Sequence, residues 1–340
     1  MLVAKNHEQQ LIQLTLQEDR EALRRLRKVE QFFCPACGEN VQLKVGTKNI
    51  PHFAHLKQSA CRAQFSERET PTHLQGKAQL FQWLKRFGTP QLEAYIPDIQ
   101  QRPDILYRDV AIEFQYSRLP VERFDERNEG YYKQHISPLW VPYSDVHPRG
   151  IQLITIPYDR QKYIQNRTMM AYNPHAQQFL YYTSLVSVSK TQFLTKMAPL
   201  PVDLQTWPCR MPQPLQYEEF LQYMTLWRLQ RERTMHYYSR YRRGVKDPLL
   251  KFMYDHQLRF DTLPDFIGVP TDFEHEVQYA LDWQIVYYYA YYPARLHDFL
   301  CHYDVPHTKV HAYDTFLRKL SMKKETQNDL LYAQFVAITR

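Results

Sequence analysis

The stretch that decides the fold is Arg102-Pro103-Asp104-Ile105-Leu106-Tyr107-Arg108-Asp109-Val110-Ala111-Ile112-Glu113-Phe114-Gln115. An apolar segment lies on each side of the polar pair Arg108-Asp109, and this pattern predicts two short strands joined by a tight turn. Because side chains alternate between the two faces of a strand, Glu113 and Gln115 point the same way. The hairpin can bring Asp104 beside that face, which gathers three oxygen-bearing side chains.

Two carboxylates and an amide oxygen are the hard ligands that Mg²⁺ or Mn²⁺ prefers. Such an ion can polarise a phosphodiester and activate a water molecule that attacks it. In the alternative interpretation, Asp104 is a turn residue and Glu113 an exposed strand carboxylate. However, Glu113 lies between Ile112 and Phe114, in an apolar strand where an ionised carboxylate is costly unless it is paired or coordinated. The pattern therefore predicts either a metal-dependent phosphodiesterase site or a structural network of carboxylates.

The helix that precedes the hairpin adds further polar candidates. Thr70-Pro71 predicts its start, with Thr as the cap and Pro in the first helical position, and Gly88 predicts its end. Its polar face carries His73 and Lys77 one turn apart, and Glu69 lies just before its N-terminus. We expect Lys77 to supply a cation near the scissile phosphate. The alternative for His73 and Lys77 is a solvated helix face.

A second helix is predicted from Val121 to about His135. On it, Arg127 and Tyr131 lie one turn apart and either contact a phosphate or pack on the sheet. Further strand-like segments are Leu92 to Ile96, Leu139 to Val141 and Ile151 to Ile156. The order of helix, three strands, helix and two strands predicts a mixed α/β (α+β) sheet with helices on its faces.

The N-terminal fifth of the chain holds three of the five cysteines, which is not a disulfide framework for a chain of this length. Thiolate and imidazole groups at these spacings suit tetrahedral Zn²⁺, and a small knuckle gains most of its stability from such an ion. We expect zinc to be held by Cys34, Cys37, His55 and Cys61, with His52 as the alternative to His55. The competing interpretation is a pair of buried thiols with incidental histidines.

The composition places the chain among basic proteins without a membrane anchor. Its 340 residues carry a net charge of +7, spread along the sequence, which is a mild bias toward polyanions such as DNA. The first residues lack the order of a secretion signal, and no apolar stretch reaches the length of a membrane span. We expect a cytoplasmic protein in a reducing compartment.

Changes of composition along the chain divide it into four segments. We expect an N-terminal zinc knuckle over 1–62, a nuclease domain over 63–160, a β-rich and proline-rich connection over 161–214, and a helical domain over 215–340. The connection is marked by β-like residues from Phe179 to Phe193 and then by five prolines. The last segment begins with apolar residues at helical spacing.

The first long helix of the C-terminal segment combines arginines with tyrosines. Arg240, Arg242 and Arg243 lie beside Tyr237 and Tyr241. Guanidinium groups with rings that can stack would fit single-stranded or branched DNA. The alternative is a solvated basic face whose tyrosines pack inward.

Five motifs in a fixed order resemble the competence protein CoiA family over roughly the first 160 residues. They are Cys34-Pro35-Ala36-Cys37-Gly38, His52-Phe53-Ala54-His55, Glu69-Thr70-Pro71-Thr72-His73, Arg102-Pro103-Asp104-Ile105-Leu106 and Ala111-Ile112-Glu113-Phe114-Gln115-Tyr116-Ser117. The resemblance implies a restriction-endonuclease-like domain of the PD-(D/E)xK class behind a zinc-finger-like N-terminal domain. It also implies a cytosolic role in natural transformation, in which imported single-stranded DNA is recombined into the chromosome.

The catalytic positions that the resemblance implies are Asp104, Glu113 and Gln115, with Glu69 and His73 on the preceding helix. Arg127 and Tyr131 match a further pattern of the family in the next helix. Relative to the wider nuclease class, Gln115 replaces a lysine, and an amide brings no charge to the phosphate.

Three functions are compatible with these residues. The first is a Mg²⁺- or Mn²⁺-dependent deoxyribonuclease that processes recombination intermediates. The second is an inactive DNA-binding adaptor that assists a recombinase, and the third is an enzyme acting on RNA.

Overall fold

The computed structural model of this chain describes residues 1–47, 49–56, 70–148, 150–213, 215–242, 244–269, 280–322 and 324–339. The chain forms two compact units. The first comprises Met1–His147, Met170–Tyr181 and Pro199–Met211, and the second comprises Pro148–Met169, Tyr182–Ala198 and Pro212–Arg340. Both strands and helices contribute, so the predicted mixed α/β class is confirmed.

The strands are β1 Val3–Lys5, β2 Leu11–Gln13, β3 Phe32–Phe33, β4 Asn40–Lys44, β5 His52–His55, β6 Gln91–Leu92, β7 Ile105–Tyr107, β8 Val110–Gln115, β9 Ser137–Pro142, β10 Gly150–Thr155, β11 Met169–Asn173, β12 Gln178–Ser187 and β13 Gln192–Pro201. The helices are α1 Arg20–Val29, α2 Pro71–Lys85, α3 Val121–Lys133, α4 Tyr217–Tyr241, α5 Pro248–Asp255, α6 Ala280–Val286, α7 Leu296–His302, α8 His307–Ser321 and α9 Gln327–Thr339.

The first unit begins with a five-stranded antiparallel sheet in the order β2-β1-β3-β4-β5. Burial alternates along β4, where Val41 and Leu43 face inward, as expected for a sheet with one covered face. Helix α1 starts where the Asp19 side chain accepts hydrogen bonds from two backbone N–H groups, which caps the first turn. The backbones of Met1 and Phe53 exchange two hydrogen bonds, so β5 is tied to the start of the chain.

The second sheet of this unit has the order β6-β7-β8-β9. Strands β7 and β8 form the predicted antiparallel hairpin, with Ile105 opposite Ile112. Strand β9 runs parallel to β8, because α3 carries the chain across the sheet between them. Helix α2 begins at the predicted cap, where the Thr70 hydroxyl accepts from the His73 N–H. Helix α2 packs against β7 and β8.

One predicted strand is shorter in the structure. A strand was expected from Leu92 to Ile96, but β6 ends at Leu92 because Glu93 has a left-handed backbone with φ of 50°. The β-like region from Phe179 to Phe193 resolves into two ten-residue strands, β12 and β13. Both strands cross a boundary between the units. In the second unit, β10 pairs with β13 so that Gln152 lies opposite Thr195.

The second unit is otherwise helical, as predicted for the C-terminal segment. Its core contains buried aromatic residues from several helices, among them Tyr223, Trp227 and Tyr313. The tyrosine run forms a π-helical turn, Tyr287–Tyr291, in which Tyr287 is fully buried and hydrogen-bonds to Asp314. No helix among the described residues is long and apolar enough to cross a lipid bilayer.

Candidate functional site

Asp104 lies one residue before β7 and is held by three groups. Its Oδ2 accepts from the Phe114 N–H at 2.9 Å, across the hairpin, and lies 3.2 Å from the His73 Nε2. Its Oδ1 lies 3.3 Å from the Lys77 Nζ. Helix α2 therefore places His73 and Lys77 at one carboxylate, rather than on a solvated face.

Lys77 is buried, with 1% of its side chain exposed, and its ammonium group also lies 2.5 Å from the Glu93 Oε1. Glu93 accepts further hydrogen bonds from the Leu2 and Val3 N–H groups, at 2.9 to 3.2 Å. Its own N–H donates to the Asp104 carbonyl at 3.0 Å. Glu93 could not be predicted from the sequence, because its partners come from segments far apart in the chain.

Glu113 is buried and faces α3 instead of α2. Its carboxylate accepts hydrogen bonds from Arg127 and Tyr131, and the Arg127 Nη2 donates to the Tyr131 hydroxyl at 3.1 Å. Burial raises the pKa of Glu113 to about 7, and nearby Asp104 adds to this, although Arg127 opposes it. The Arg127 and Tyr131 pair thus binds a carboxylate in this structure.

The pKa values of the two partners are shifted as well. Burial by itself lowers the pKa of Arg127, but Glu113 and Tyr131 more than offset this and keep the guanidinium charged. Burial raises the pKa of Tyr131 well above its usual value, and Glu113 raises it further. Tyr131 therefore stays a neutral phenol, and its hydroxyl donates a hydrogen bond to Glu113.

Gln115 lies on the same side of β8 as Glu113, two residues further along the strand. Its amide nitrogen donates to the Ser117 carbonyl at 3.0 Å. The residue between them, Phe114, points to the opposite face and packs against Gly76 of α2. The side-chain alternation expected from the sequence is present in β8.

Acidic and basic side chains pair within this cluster. Asp104 and Glu93 contact Lys77, and Glu113 is bound by Arg127. Carboxylate oxygens removed from water favour a cation beside them, because solvent no longer screens their charge. Asp104 and Glu113 are therefore the residues of this cluster that could hold a divalent ion. Glu69, the remaining predicted residue of this site, lies outside the described residues.

A second constellation lies in the N-terminal sheet. The Cys34 and Cys37 sulfurs and a ring nitrogen of His55 all lie within 4.8 Å of one another. Gly38, in a left-handed conformation, lets the turn after Cys34 close with a 2.9 Å hydrogen bond from its N–H to the Cys34 carbonyl. Burial lowers the pKa of His55, which favours the neutral imidazole that a metal requires.

The structure separates the two candidate histidines. His52 and His55 are three residues apart in β5, so their side chains project to opposite faces. The His52 Nδ1 lies 3.0 Å from the Ile50 carbonyl. Cys61, the predicted fourth ligand, lies outside the described residues.

The predicted DNA-binding arginines of the second unit have different surroundings. Arg240 is exposed at the end of α4. Arg242 forms ion pairs with Asp247 and Asp282, at 3.2 and 2.8 Å. Its guanidinium also stacks on the Tyr238 ring. Arg243 lies outside the described residues.

Comparisons with known proteins agree with the motifs. A family model of the nuclease-like domain of competence protein CoiA matches residues 69–210, and a model of the CoiA N-terminal domain matches 15–64. Competence protein CoiA of Bacillus subtilis (strain 168) is 40% identical over 119 residues, which are 34% of this chain and 32% of that relative. The match thus spans about a third of the relative's length. No solved structure matches the chain.

The two domain models describe one family, follow each other in chain order and together cover more than half of the sequence. The nuclease-like model contains Asp104 and Glu113, and the N-terminal model contains Cys34, Cys37 and His55. The resemblance drawn from the five motifs is therefore confirmed, and the chain belongs to the competence protein CoiA family.

Proposed function

We propose that this chain is a divalent-metal-dependent deoxyribonuclease that processes recombination intermediates of imported DNA during natural transformation. The observation that supports this most is the cluster in which Asp104, one residue before β7, and Glu113, on β8, lie among Lys77, Arg127 and His73.

The donor set fits a hard divalent cation in its chemistry. Asp104 and Glu113 would hold Mg²⁺ or Mn²⁺, with the amide oxygen of Gln115 as a neutral third donor. When bound, such an ion supplies polarisation of the phosphate and neutralisation of its developing charge. In this structure Lys77 and Arg127 contact the same carboxylates, so an ion competes with them.

The side chains of the chain itself then have distinct tasks. Lys77 and Arg127, once displaced from the carboxylates, present two cations to the non-bridging oxygens of a phosphodiester. The His73 Nε2 faces Asp104, which orients the ring, so proton transfer by this imidazole would use its Nδ1. Glu93 keeps Lys77 in place from the opposite side, because it is itself fixed by two backbone N–H groups.

The second candidate function is an inactive DNA-binding adaptor that assists a recombinase. It is favoured by Glu113, whose carboxylate is already bound by Arg127 and Tyr131. The glutamine at position 115 also supports it, since an amide cannot replace the charge of a lysine. In this case the fold holds DNA and leaves it intact.

Cleavage assays separate the two. Purified protein is incubated with labelled single-stranded, flapped and displacement-loop DNA, with Mg²⁺, with Mn²⁺ and with EDTA. We expect metal-dependent products, and we expect Asp104→Asn and Glu113→Gln to abolish them while DNA binding in EDTA persists.

The matched control is Asp109→Asn, which removes an exposed carboxylate at the turn of the same hairpin. It should cleave like the wild type. If the protein binds DNA but cleaves none of these substrates, the adaptor function is supported. If the double variant D104N/E113Q still forms cleavage products, the proposed site and its assigned residues are wrong. Matched RNA substrates test whether the sugar matters.

We further propose that Cys34, Cys37 and His55 hold a zinc ion together with Cys61. The mutual approach of two thiols and an imidazole supports this, because tetrahedral zinc brings its ligand atoms about this close. A cytoplasmic location, and a recombinase that handles the same DNA, follow from the proposed role. Co-purification with the recombinase of the same organism, in the presence and absence of single-stranded DNA, tests the partner.

A further inference from the structure

We propose that the exposed C-terminal half of α4 is a separate binding surface for single-stranded DNA. The surface consists of Arg233, Tyr237, Arg240 and Tyr241, and is called the α4 surface below. It belongs to the second unit, whereas the proposed cleavage site belongs to the first. The inference rests on the proposed function, since it assigns to this surface the polymer that the nuclease site acts on.

The α4 surface presents a pair of aromatic rings to solvent. Tyr237 is 56% exposed and Tyr241 is 62% exposed, although both are large residues with apolar rings. They lie one helical turn apart, and their ring centroids are 5.0 Å from each other. Tyrosines that served the core would be buried, as Tyr238 between them is. An exposed aromatic pair of this kind marks an interaction site.

Two guanidinium groups flank these rings. Arg233 and Arg240 are exposed and lie three or four residues from Tyr237, so the helix places them on the same face. The Arg240 guanidinium lies over the Tyr241 ring at 5.7 Å. Among the described residues, neither arginine has a carboxylate within ion-pair distance, in contrast to Arg242.

The sign of the charge on this face is therefore positive. Glu232 is the acidic residue nearest in sequence, and at 100° per residue it projects to a different side of α4 from Tyr237. A polyanion gains from both arginines, and no carboxylate among the described residues of the C-terminal half of α4 shares their face. Charge complementarity thus selects a nucleic acid strand over an acidic or neutral surface.

The rings select the single-stranded form. In a duplex the faces of the bases are covered by their neighbours, so an exposed tyrosine pair can stack only on bases that are unpaired. Aromatic stacking with a positively charged track along the backbone is the usual way in which proteins hold single strands without reading their sequence. The α4 surface supplies both elements within two helical turns.

Fluorescence anisotropy with labelled oligothymidylate of about 16 nucleotides tests the surface. The full chain is titrated in EDTA, which removes cleavage from the measurement. We expect Tyr237→Ala/Tyr241→Ala to weaken binding about tenfold to a hundredfold, because stacking on one or two bases is lost. Tyr237→Phe/Tyr241→Phe should bind like the wild type, since stacking needs the ring and not the hydroxyl.

The contribution of the two arginines is tested by measuring how the DNA affinity depends on salt concentration. Arg233→Gln/Arg240→Gln should lower the slope of log affinity against log salt by about 1.4, which corresponds to two phosphates on a single strand. Tyr158→Ala is the matched control, because Tyr158 is 75% exposed and lies in the second unit but outside α4. This control should leave the affinity unchanged.

Three results overturn the inference. One is wild-type affinity for oligothymidylate in the Tyr237→Ala/Tyr241→Ala variant. Another is a loss of affinity in Tyr158→Ala that equals the loss in the double variant. The third is a change in self-association with unchanged DNA affinity, which assigns the surface to a second copy of the chain. A nuclease that cuts normally but fails this test contradicts only the surface. Conversely, single-strand binding through α4 without cleavage contradicts only the nuclease.

Discussion

The ammonium group of Lys77 and the carboxylate of Glu93 are in direct contact inside the first unit, 2.5 Å apart, with 1% and 2% of their side chains exposed. A buried pair of this kind is sensitive to the loss of one member, because the other charge stays behind without compensation. The N–H groups of Leu2 and Val3 donate to the same carboxylate.

Glu93→Gln should therefore destabilise the protein by about 3 kcal/mol, the lower end of the range for a broken buried pair, because Asp104 still lies near Lys77. Urea unfolding followed by fluorescence measures this. Asp261→Asn, which breaks the exposed pair with Arg259, is the control and should have little effect. Equal midpoints for the two variants would contradict the prediction.

The packing of Gly76 against Phe114 leads to a second prediction. A methyl group at position 76 would overlap the Phe114 ring, which is itself enclosed between α2 and Tyr172. Gly76→Ala should therefore cost about 1–3 kcal/mol, even though alanine is the better helix former. Gly46→Ala meets no atom within 4 Å and serves as the control. A Gly76→Ala protein as stable as the control would show that this contact is not tight.

The raised pKa of Glu113 makes stability depend on pH. In the folded state the carboxyl titrates at about 7, instead of the ordinary 4.5, because it is buried. Between these values the folded state holds a proton that the unfolded state has lost, so the contribution is complete below about 4.5 and disappears as the pH rises to about 7.

Comparison with Glu113→Gln isolates this effect, because glutamine stays neutral at every pH while Arg127 remains in place. The unfolding temperature of the wild type should fall relative to that of Glu113→Gln as the pH is raised from 5 to 8. A constant difference over this range would place the pKa of Glu113 near its ordinary value.

Metal analysis distinguishes the histidines of the N-terminal sheet. Under reducing, chelator-free conditions we expect about one zinc per chain. His55→Ala should lose it, because His55 shares a face with the cysteines, and His52→Ala should keep it. Retention of zinc by His55→Ala, or no zinc in the wild type, would contradict the proposed ligand set.

Two cysteines outside that cluster should differ in reactivity. Burial raises the pKa of the Cys209 thiol to about 12, whereas Cys301 is exposed on α7. Because the thiolate is the nucleophile, Cys209 should react with iodoacetamide at least about tenfold more slowly at pH 8. Peptide mass mapping over time measures both residues in one sample, and equal rates would contradict the raised pKa of Cys209.

Local chemistry was sufficient to predict the elements around the site. Thr70 and Pro71 indicated the start of α2, and the polar pair between the two apolar segments indicated the β7–β8 hairpin. These signals act within a few residues, so they can be read from the sequence alone. The placement of His73 and Lys77 near Asp104 then follows from packing α2 on that hairpin.

Contacts between distant segments could not be read in this way. Glu93 is bound by Leu2, 91 positions away, and its left-handed backbone ends β6 earlier than its apolar neighbours suggest. The binding of Glu113 by Arg127 and Tyr131 depends on how α3 crosses the sheet. Similarly, the sequence could not show that Arg242 forms ion pairs while Arg240 forms none with the described residues. This difference depends on the tertiary neighbours of the two side chains.

The start of the chain makes two contacts that have a practical consequence for enzymology. The Met1 backbone hydrogen-bonds to Phe53, within the sheet that carries the zinc candidates, and the next residue, Leu2, donates to Glu93. If the cysteines hold zinc as proposed, its removal would loosen the support of Lys77 as well. Under the proposed nuclease function, EDTA would then act at two sites, and the catalytic ion is better identified by omitting and restoring Mg²⁺ or Mn²⁺ in zinc-loaded protein.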